Sequence, residues 1–192
     1  MADHHCDLLV IGAGASGASV AYEAIRRGLS VAILEAGDIG GGTSCRSTKL
    51  LHGGVRYLEL AFKTLDLAQL QLVREALMER GHWLRTAPFL ADRLELVLPT
   101  KNWFDKTYYG LGLGLYDALS GKTGLGHSRR LSRDELVQAL PQLCPRQGGV
   151  AYSDGQFDDA RLNLLLALTA EQGGATLRRS CRVIGFERNP EG

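Results

Sequence analysis

The chain has 192 residues, 45% of them hydrophobic and 22% charged, with a formal net charge of +1. That length can bury a substantial core, and the composition excludes a disordered or fibrous protein. Acids and bases nearly cancel, so charge gives no argument for nucleic acid as a partner, while a locally basic site for small anions stays open.

Cys6, Cys45, Cys144 and Cys181 lie far apart, form no C-x-x-C pair and have no histidine at metal-ligand spacing. No metal site is expected, and the thiols read as those of a reduced cytoplasmic chain. No signal peptide is visible, because the first apolar run enters a glycine motif and reads as a strand. Tyr108 to Leu119 is too short for a bilayer, which takes roughly 20 apolar residues, and is expected as a core helix.

In chain order, the first element is an apolar strand over Asp7 to Ile11, then a glycine turn and a helix from Ala15 to Arg27. Gly28 suits the left-handed position after that helix. A second strand, Leu29 to Leu34, ends in Glu35. Strand, helix and strand in this order make the two strands parallel neighbours. Gly12, Ala13, Gly14, Ala15, Ser16 and Gly17 match G-x-G-x-x-G between the first strand and the helix. The first glycine allows the tight turn, the second lets a pyrophosphate approach the backbone, and the third lets helix and strand pack closely. Helix N-terminal amides and the helix dipole then hold the negative charge. Glu35, followed by Ala36, ends the second strand about twenty residues on, where a carboxylate can take ribose hydroxyls. It disfavours a 2′-phosphorylated cofactor. Spacing alone leaves FAD and NAD both open.

A glycine-rich connection over 37–54 is too long for an idle loop. It carries Thr43, Ser44, Cys45, Arg46, Ser47, Thr48, Lys49, Leu50, Leu51, His52, Gly53 and Gly54, and continues through Val55, Arg56, Tyr57, Leu58 and Glu59. These hydroxyls, cations and paired glycines could donate to phosphates and to a flavin's polar edge. A long helix is expected over Lys63 to Arg85, with Leu70, Val73, Leu77 and Leu84 at helical period. A strand follows over Leu94 to Leu98, and a helix over Trp103 to Leu119. Ser132 and Glu135 form a capping-box pattern, so a short helix starts there and stops before Pro141. Val150 to Ser153 reads as a strand. Asp158 caps a helix over Asp159 to Gln172 that ends at Gly173 and Gly174. Ala175 to Arg188 is strand-like, and 189–192 is a turn signal. The return strand of a hairpin is expected after that turn, so the chain reads as a piece of a longer protein.

The run T-S-x-x-S-x-K-L-x-H-G-G-x-R-Y-L-E over 43–59 strongly resembles the flavin-dependent glycerol-3-phosphate dehydrogenases, of the D-amino-acid-oxidase-like FAD oxidoreductase superfamily. Asp154 to Leu162 resembles that family's D-x-x-x-D-D-A-R-L segment, and Gly114 to Leu119 resembles another family stretch. The resemblance implies an α/β fold: a Rossmann-like FAD-binding βαβ domain of the glutathione-reductase type, with the start of a substrate domain. It implies FAD-binding residues over 1–60, a helical insertion opening the substrate domain over 61–150, and a return to the FAD domain over 151–192. Thr43, Ser44, Thr48, Lys49, Leu50 and His52 would lie along the FAD, and Gly53 and Gly54 would let the backbone pass close to the ring. Val183, expected on a strand, would offer backbone hydrogen bonds to adenine. Arg56 and Tyr57 would face the substrate. The implied reaction oxidises sn-glycerol 3-phosphate to dihydroxyacetone phosphate, with electrons going to a quinone or another acceptor. Homo-oligomerisation and peripheral association with the inner face of a membrane are left open. The rival readings are an amine or amino-acid oxidase of the same superfamily, a nicotinamide-dependent dehydrogenase in which Glu35 would hold the NAD ribose, and a non-catalytic nucleotide-binding module. For Arg161, an ion pair with a nearby carboxylate and an active-site role are both open.

Overall fold

A computed structural model describes residues 5–64, 66–143 and 148–187; the side chains of residues 56, 62 and 63 lie outside that description. In chain order the elements are β1 (Leu8–Ile11), α1 (Ala15–Arg26), β2 (Val31–Leu34), β3 (Leu50–Leu51), α2 (Val55–Thr64), α3 (Leu67–Thr86) and β4 (Ala91–Pro99). They continue as α4 (Trp103–Ser120), β5 (Arg129–Leu131), α5 (Arg133–Ala139), β6 (Gly149–Phe157), α6 (Asp159–Gln172) and β7 (Thr176–Arg178). The chain divides into two compact units: Met1–Lys49 with Asp158–Gly192, and Leu50–Phe157.

The first unit is built on a parallel sheet in the order β1-β2-β7. Val10, Val31 and Ile33 supply its apolar side chains, while Ala21 and Ala24 of α1 and Ala170 of α6 keep the helices close. Small residues at helical spacing let α1 and α6 pack tightly: a Cβ on Gly173, just past α6, would come 2.5 Å from Ile25 of α1. α6 begins as its sequence dictates, with the Asp158 carboxylate accepting from the Arg161 amide at 3.0 Å. The Arg161 guanidinium pairs with the same Asp158 at 3.4 Å and is largely exposed, so the structure favours the ion pair.

The second unit carries an antiparallel sheet. β4 pairs along the whole of β6, while β3 and β5 share the other edge of β6 at opposite ends. Leu58 of α2, Val73 and Leu77 of α3 and Tyr116 of α4 form one core, and Leu131, Leu136 and Ala151 another. The capping box at Ser132 is complete, with each partner's backbone amide held by the other's side chain.

Three expectations are corrected. The single helix over Lys63 to Arg85 is two helices, because Asp66 caps a new start, its carboxylate accepting from the Ala68 amide at 2.9 Å. Arg56 and Tyr57 open α2 instead of sitting in a loop, since Leu58 and Ala61 give this stretch a buried helical face. The strand expected over Ala175 to Arg188 ends at Arg178. Ser180 takes a left-handed φ of 52°, and its amide and that of Cys181 bond to the Gly37 and Glu35 carbonyls. Val183 therefore lies off the sheet, half-buried, in irregular backbone. Cys144 and the turn expected over 189–192 lie outside the described residues.

Candidate functional site

Gly12 turns the chain out of β1 at φ +97°, a conformation that favours glycine, and its amide donates to the Leu34 carbonyl at 2.8 Å. A Cβ at Gly17 would stand 1.9 Å from the Gly12 carbonyl oxygen, so only glycine lets α1 lie directly on the turn. Gly14 is the N-cap of α1, and a Cβ there would come 3.0 Å from Ser44 Oγ. Ala15 and Ser16 are exposed on the first turn. Ser44 Oγ accepts from the Ala15 amide at 2.8 Å. A hydroxyl that accepts in this way keeps a proton to donate to a phosphate oxygen.

The Glu35 carboxylate is engaged on both oxygens, with Oε2 accepting from the Ala13 amide and Oε1 from the Gly37 amide, each at 2.7 Å. Each carboxylate oxygen can accept twice, so capacity for ribose hydroxyls remains. The same residue thus holds the glycine turn in place. Ala36 beside it is exposed, as are Thr43 and Thr48. Lys49 adopts φ 62°, a strained conformation for a residue with a Cβ. Its ammonium pairs with Asp159 at the start of α6 and donates to the Cys45 carbonyl at 3.1 Å. The amide and hydroxyl of Ser47 donate to the other Asp159 oxygen at 3.0 and 2.7 Å. Asp159 is buried, yet these partners, Lys49 foremost, hold its carboxyl down to about 2.

In the second unit, Leu50, His52, Gly54 and Tyr57 line a cleft of about 650 Å³, with Leu96 of β4 and Tyr152 and Asp154 of β6. The cleft is mostly apolar with a few convergent polar groups, the usual make-up of a small-molecule site. His52 Nδ1 accepts from the Gly54 amide at 3.0 Å, which leaves the proton of a neutral imidazole on Nε2. Gly53 has no room for a side chain: a Cβ would come 2.5 Å from the Leu77 side chain. Its amide donates to Tyr116 Oη at 2.6 Å.

Behind the cleft lies a buried polar cluster. Tyr116 Oη sits 3.1 and 3.2 Å from the Asp154 carboxylate oxygens and donates to it, while Arg80 Nη1 pairs with that carboxylate at 2.8 Å. Arg80 Nη2 donates to Ser120 Oγ at 3.2 Å. Burial pushes the Tyr116 hydroxyl well above its ordinary range, with the Asp154 charge adding to the rise. Burial also raises the Asp154 carboxyl, against the pull of Arg80.

The fold therefore gathers Gly12, Ala13, Gly14, Gly17, Glu35, Ser44 and Lys49 in one unit, and Leu50, His52, Gly54 and Tyr57 around the cleft of the other. Arg56 opens α2, and its side chain lies outside the described residues. Sequence reasoning named no role for Arg80, Tyr116, Asp154, Asp159 or Asn163. A signal was available for two of them. Arg80 occupies the apolar stripe of α3 between Leu77 and Leu84, and Asn163 occupies that of α6 between Asp159 and Ala167, positions where a polar residue must be held by something. Among the described residues, no three His, Cys, Asp or Glu side chains cluster as a metal site. No described helix is long and apolar enough to cross a membrane.

This turn, with bare backbone at Gly14 and a helix N-terminus behind it, defines a dinucleotide-binding fold. The chain belongs to the FAD-dependent oxidoreductase family, whose profile matches residues 7–192. It is 44% identical over 182 residues to the mitochondrial glycerol-3-phosphate dehydrogenase of Homo sapiens, covering 94% of this chain and 25% of that protein. It is 42% identical over 189 residues to the mitochondrial glycerol-3-phosphate dehydrogenase of Saccharomyces cerevisiae, covering 97% of this chain and 29% of that protein. The chain thus spans about a quarter of the length of these curated relatives. Among solved structures, it is similar to the FAD-complexed glycerol-3-phosphate dehydrogenase of Bacillus halodurans. The TM-score is 0.69 and the identity 27%, over 99% of this chain and 29% of that one. The FAD-bound L-alpha-glycerophosphate oxidase of Mycoplasma pneumoniae shares the fold, at TM-score 0.73 and 17% identity, over 99% of this chain and 48% of that one.

Proposed function

We propose that this chain supplies the dinucleotide site and part of the substrate cleft of an FAD-dependent glycerol-3-phosphate dehydrogenase. The observation that carries the reading is identity above 40% to glycerol-3-phosphate dehydrogenases across nearly the whole chain. The proposed reaction oxidises the secondary alcohol of sn-glycerol 3-phosphate to dihydroxyacetone phosphate, with electrons leaving to a quinone or another acceptor.

The residues present fit the cofactor, because the bare backbone at Gly14, the Ser44 hydroxyl and the α1 N-terminus form a cradle that a side chain would fill. FAD, when bound, supplies the hydride acceptor. The turn at 12–17 and Ser44 would hold its pyrophosphate, and Glu35 would take a ribose hydroxyl. In the cleft, the His52 Nε2–H is a donor for a substrate oxygen, and Tyr57 forms part of the wall. Arg56, on the first turn of α2, offers a permanently charged fork to the substrate phosphate. Lys49 is tied to Asp159, so we assign it to holding the 43–49 loop. In this reading a substrate-domain segment interrupts the FAD-binding domain. The full-length protein is assigned to the cytoplasm, docked peripherally on the inner face of a membrane.

The test is Arg56→Ala in the full-length enzyme. It should retain flavin and melting temperature while losing roughly 30- to 1000-fold in kcat/KM toward glycerol 3-phosphate, the cost of a charge-assisted contact. Arg56→Lys should be impaired as well, because an ammonium cannot make two parallel hydrogen bonds. Near-normal kcat/KM in Arg56→Ala removes Arg56 from the substrate site.

A further inference from the structure

We propose that Asn163 is a positioning residue for the FAD site, acting through the backbone of Ala13 and resting on the FAD reading given above. Ala13 is fully buried between Gly12 and Gly14, the two most permissive residues of the turn. The peptide groups on both sides of it are gripped. The amide donates to Glu35 Oε2 at 2.7 Å, and the carbonyl accepts from Asn163 Nδ2 at 2.9 Å and from the Gly40 amide at 3.0 Å. A glycine-rich turn loses much conformational freedom when it is fixed, so what grips it decides whether its amides are aimed before the cofactor arrives.

Asn163 lies 150 residues from Ala13 in sequence and is 2% exposed. It sits one helical turn beyond Asp159, on the buried face of α6, so that one helix face holds both the turn at 12–14 and the loop at 47–49. The residue is a poor choice for the fold alone. Its Oδ1 is buried without a partner, a cost that an apolar side chain of similar size would avoid. The chain also accommodates it elsewhere: Gly40 takes φ +68°, and a Cβ there would come 2.9 Å from Asn163 Nδ2 and 2.6 Å from Cys45 Sγ. A core that makes room for a buried amide with one oxygen unpartnered gains from it the bond that places Ala13.

Asn163→Leu in the full-length protein separates the two roles, because it removes the donor and the unpartnered oxygen together. The Ala13 carbonyl keeps its bond from Gly40, so no buried acceptor is orphaned. With flavin stripped, the apoprotein should melt within about 3 °C of wild type. Its Kd for FAD, measured by quenching of flavin fluorescence on the folded fraction, should rise about 5- to 10-fold, the worth of one hydrogen bond. Asn163→Asp, which keeps the shape but turns an oxygen toward the Ala13 carbonyl, should weaken FAD at least as much, and serves if the leucine variant does not fold. An unchanged Kd in either variant overturns the proposal, whatever the melting temperature does. A wild-type protein that binds no FAD at all overturns the FAD reading and this inference with it, and that result precedes any variant.

Discussion

The two units reach order by different routes. In the first, the turn at 12–17 is written in adjacent residues: a strand, a glycine at φ +97°, a helix start, and a glycine packed on the backbone five residues before it. In the second, the cleft depends on groups far apart in sequence. Arg80 reaches Asp154 across 74 residues, and Tyr116 reaches Gly53 across 63. Local backbone geometry shapes the turn of one site, which Asn163 and Asp159 of α6 then hold from afar, and a buried polar cluster props up the other. Substitutions should therefore break them in different ways.

The largest effect is expected from Gly17→Val. Its Cβ cannot fit 1.9 Å from the Gly12 oxygen, so the βαβ unit must open, at a cost above about 4 kcal/mol. The full-length protein should lose its flavin, and amide hydrogen exchange should accelerate in β1 and β2. Normal protection there, with flavin retained, would mean that the turn tolerates a wedge the geometry forbids.

Next comes Arg80→Met, which leaves the Asp154 charge buried without its cation. Breaking a buried pair typically costs about 3–5 kcal/mol. The denaturation midpoint should fall, with exchange accelerating in β6. Replacing Asp154 by Leu as well should recover much of the loss, since removing both charges avoids the stranded one. Tyr116→Phe is milder. It strips a partner from the Gly53 amide and from Asp154, and should cost about 1–3 kcal/mol. Its informative readout is KM, which should rise if the cluster, through Gly53, sets its neighbours His52 and Gly54 in the wall of the cleft.

The smallest effect is a pH dependence confined to the first unit. The folded Asp159 carboxyl is held to about 2, below its unfolded value of roughly 3.9. The Lys49 and Ser47 contacts therefore stabilise the fold above about pH 4, and that contribution fades as pH falls toward 2. Melting temperature followed from pH 5 to 2 should decline more steeply in wild type than in Asp159→Asn. Parallel curves would show that the contacts contribute no net stability.

The same contrast explains what the sequence revealed. Gly12, Gly17 and the cap at Asp158 were legible because backbone φ, a missing Cβ and a capping carboxylate act within a few residues. The bounds of α6 followed directly from Asp158 and the paired glycines behind Gln172. Val183 was misplaced on a strand because strand propensity carries no information about whether a ladder partner is at hand, and Ser180 turns the chain away first. Arg56 and Tyr57 were read into a loop because the glycines before them masked the helical spacing of Leu58 and Ala61. Arg80, Asp154 and Tyr116 were legible as residue types but not as a cluster, since a buried charge declares its partner only once the fold is assembled.

The most direct test of the central claim is the visible spectrum of the full-length protein, recorded without oxygen before and after addition of substrate. A yellow protein is expected, whose blue absorption bleaches on stoichiometric sn-glycerol 3-phosphate and not on amino acids, with FAD released on denaturation. A colourless protein that binds NADH, or a flavin that bleaches with an amino acid and ignores glycerol 3-phosphate, would contradict it.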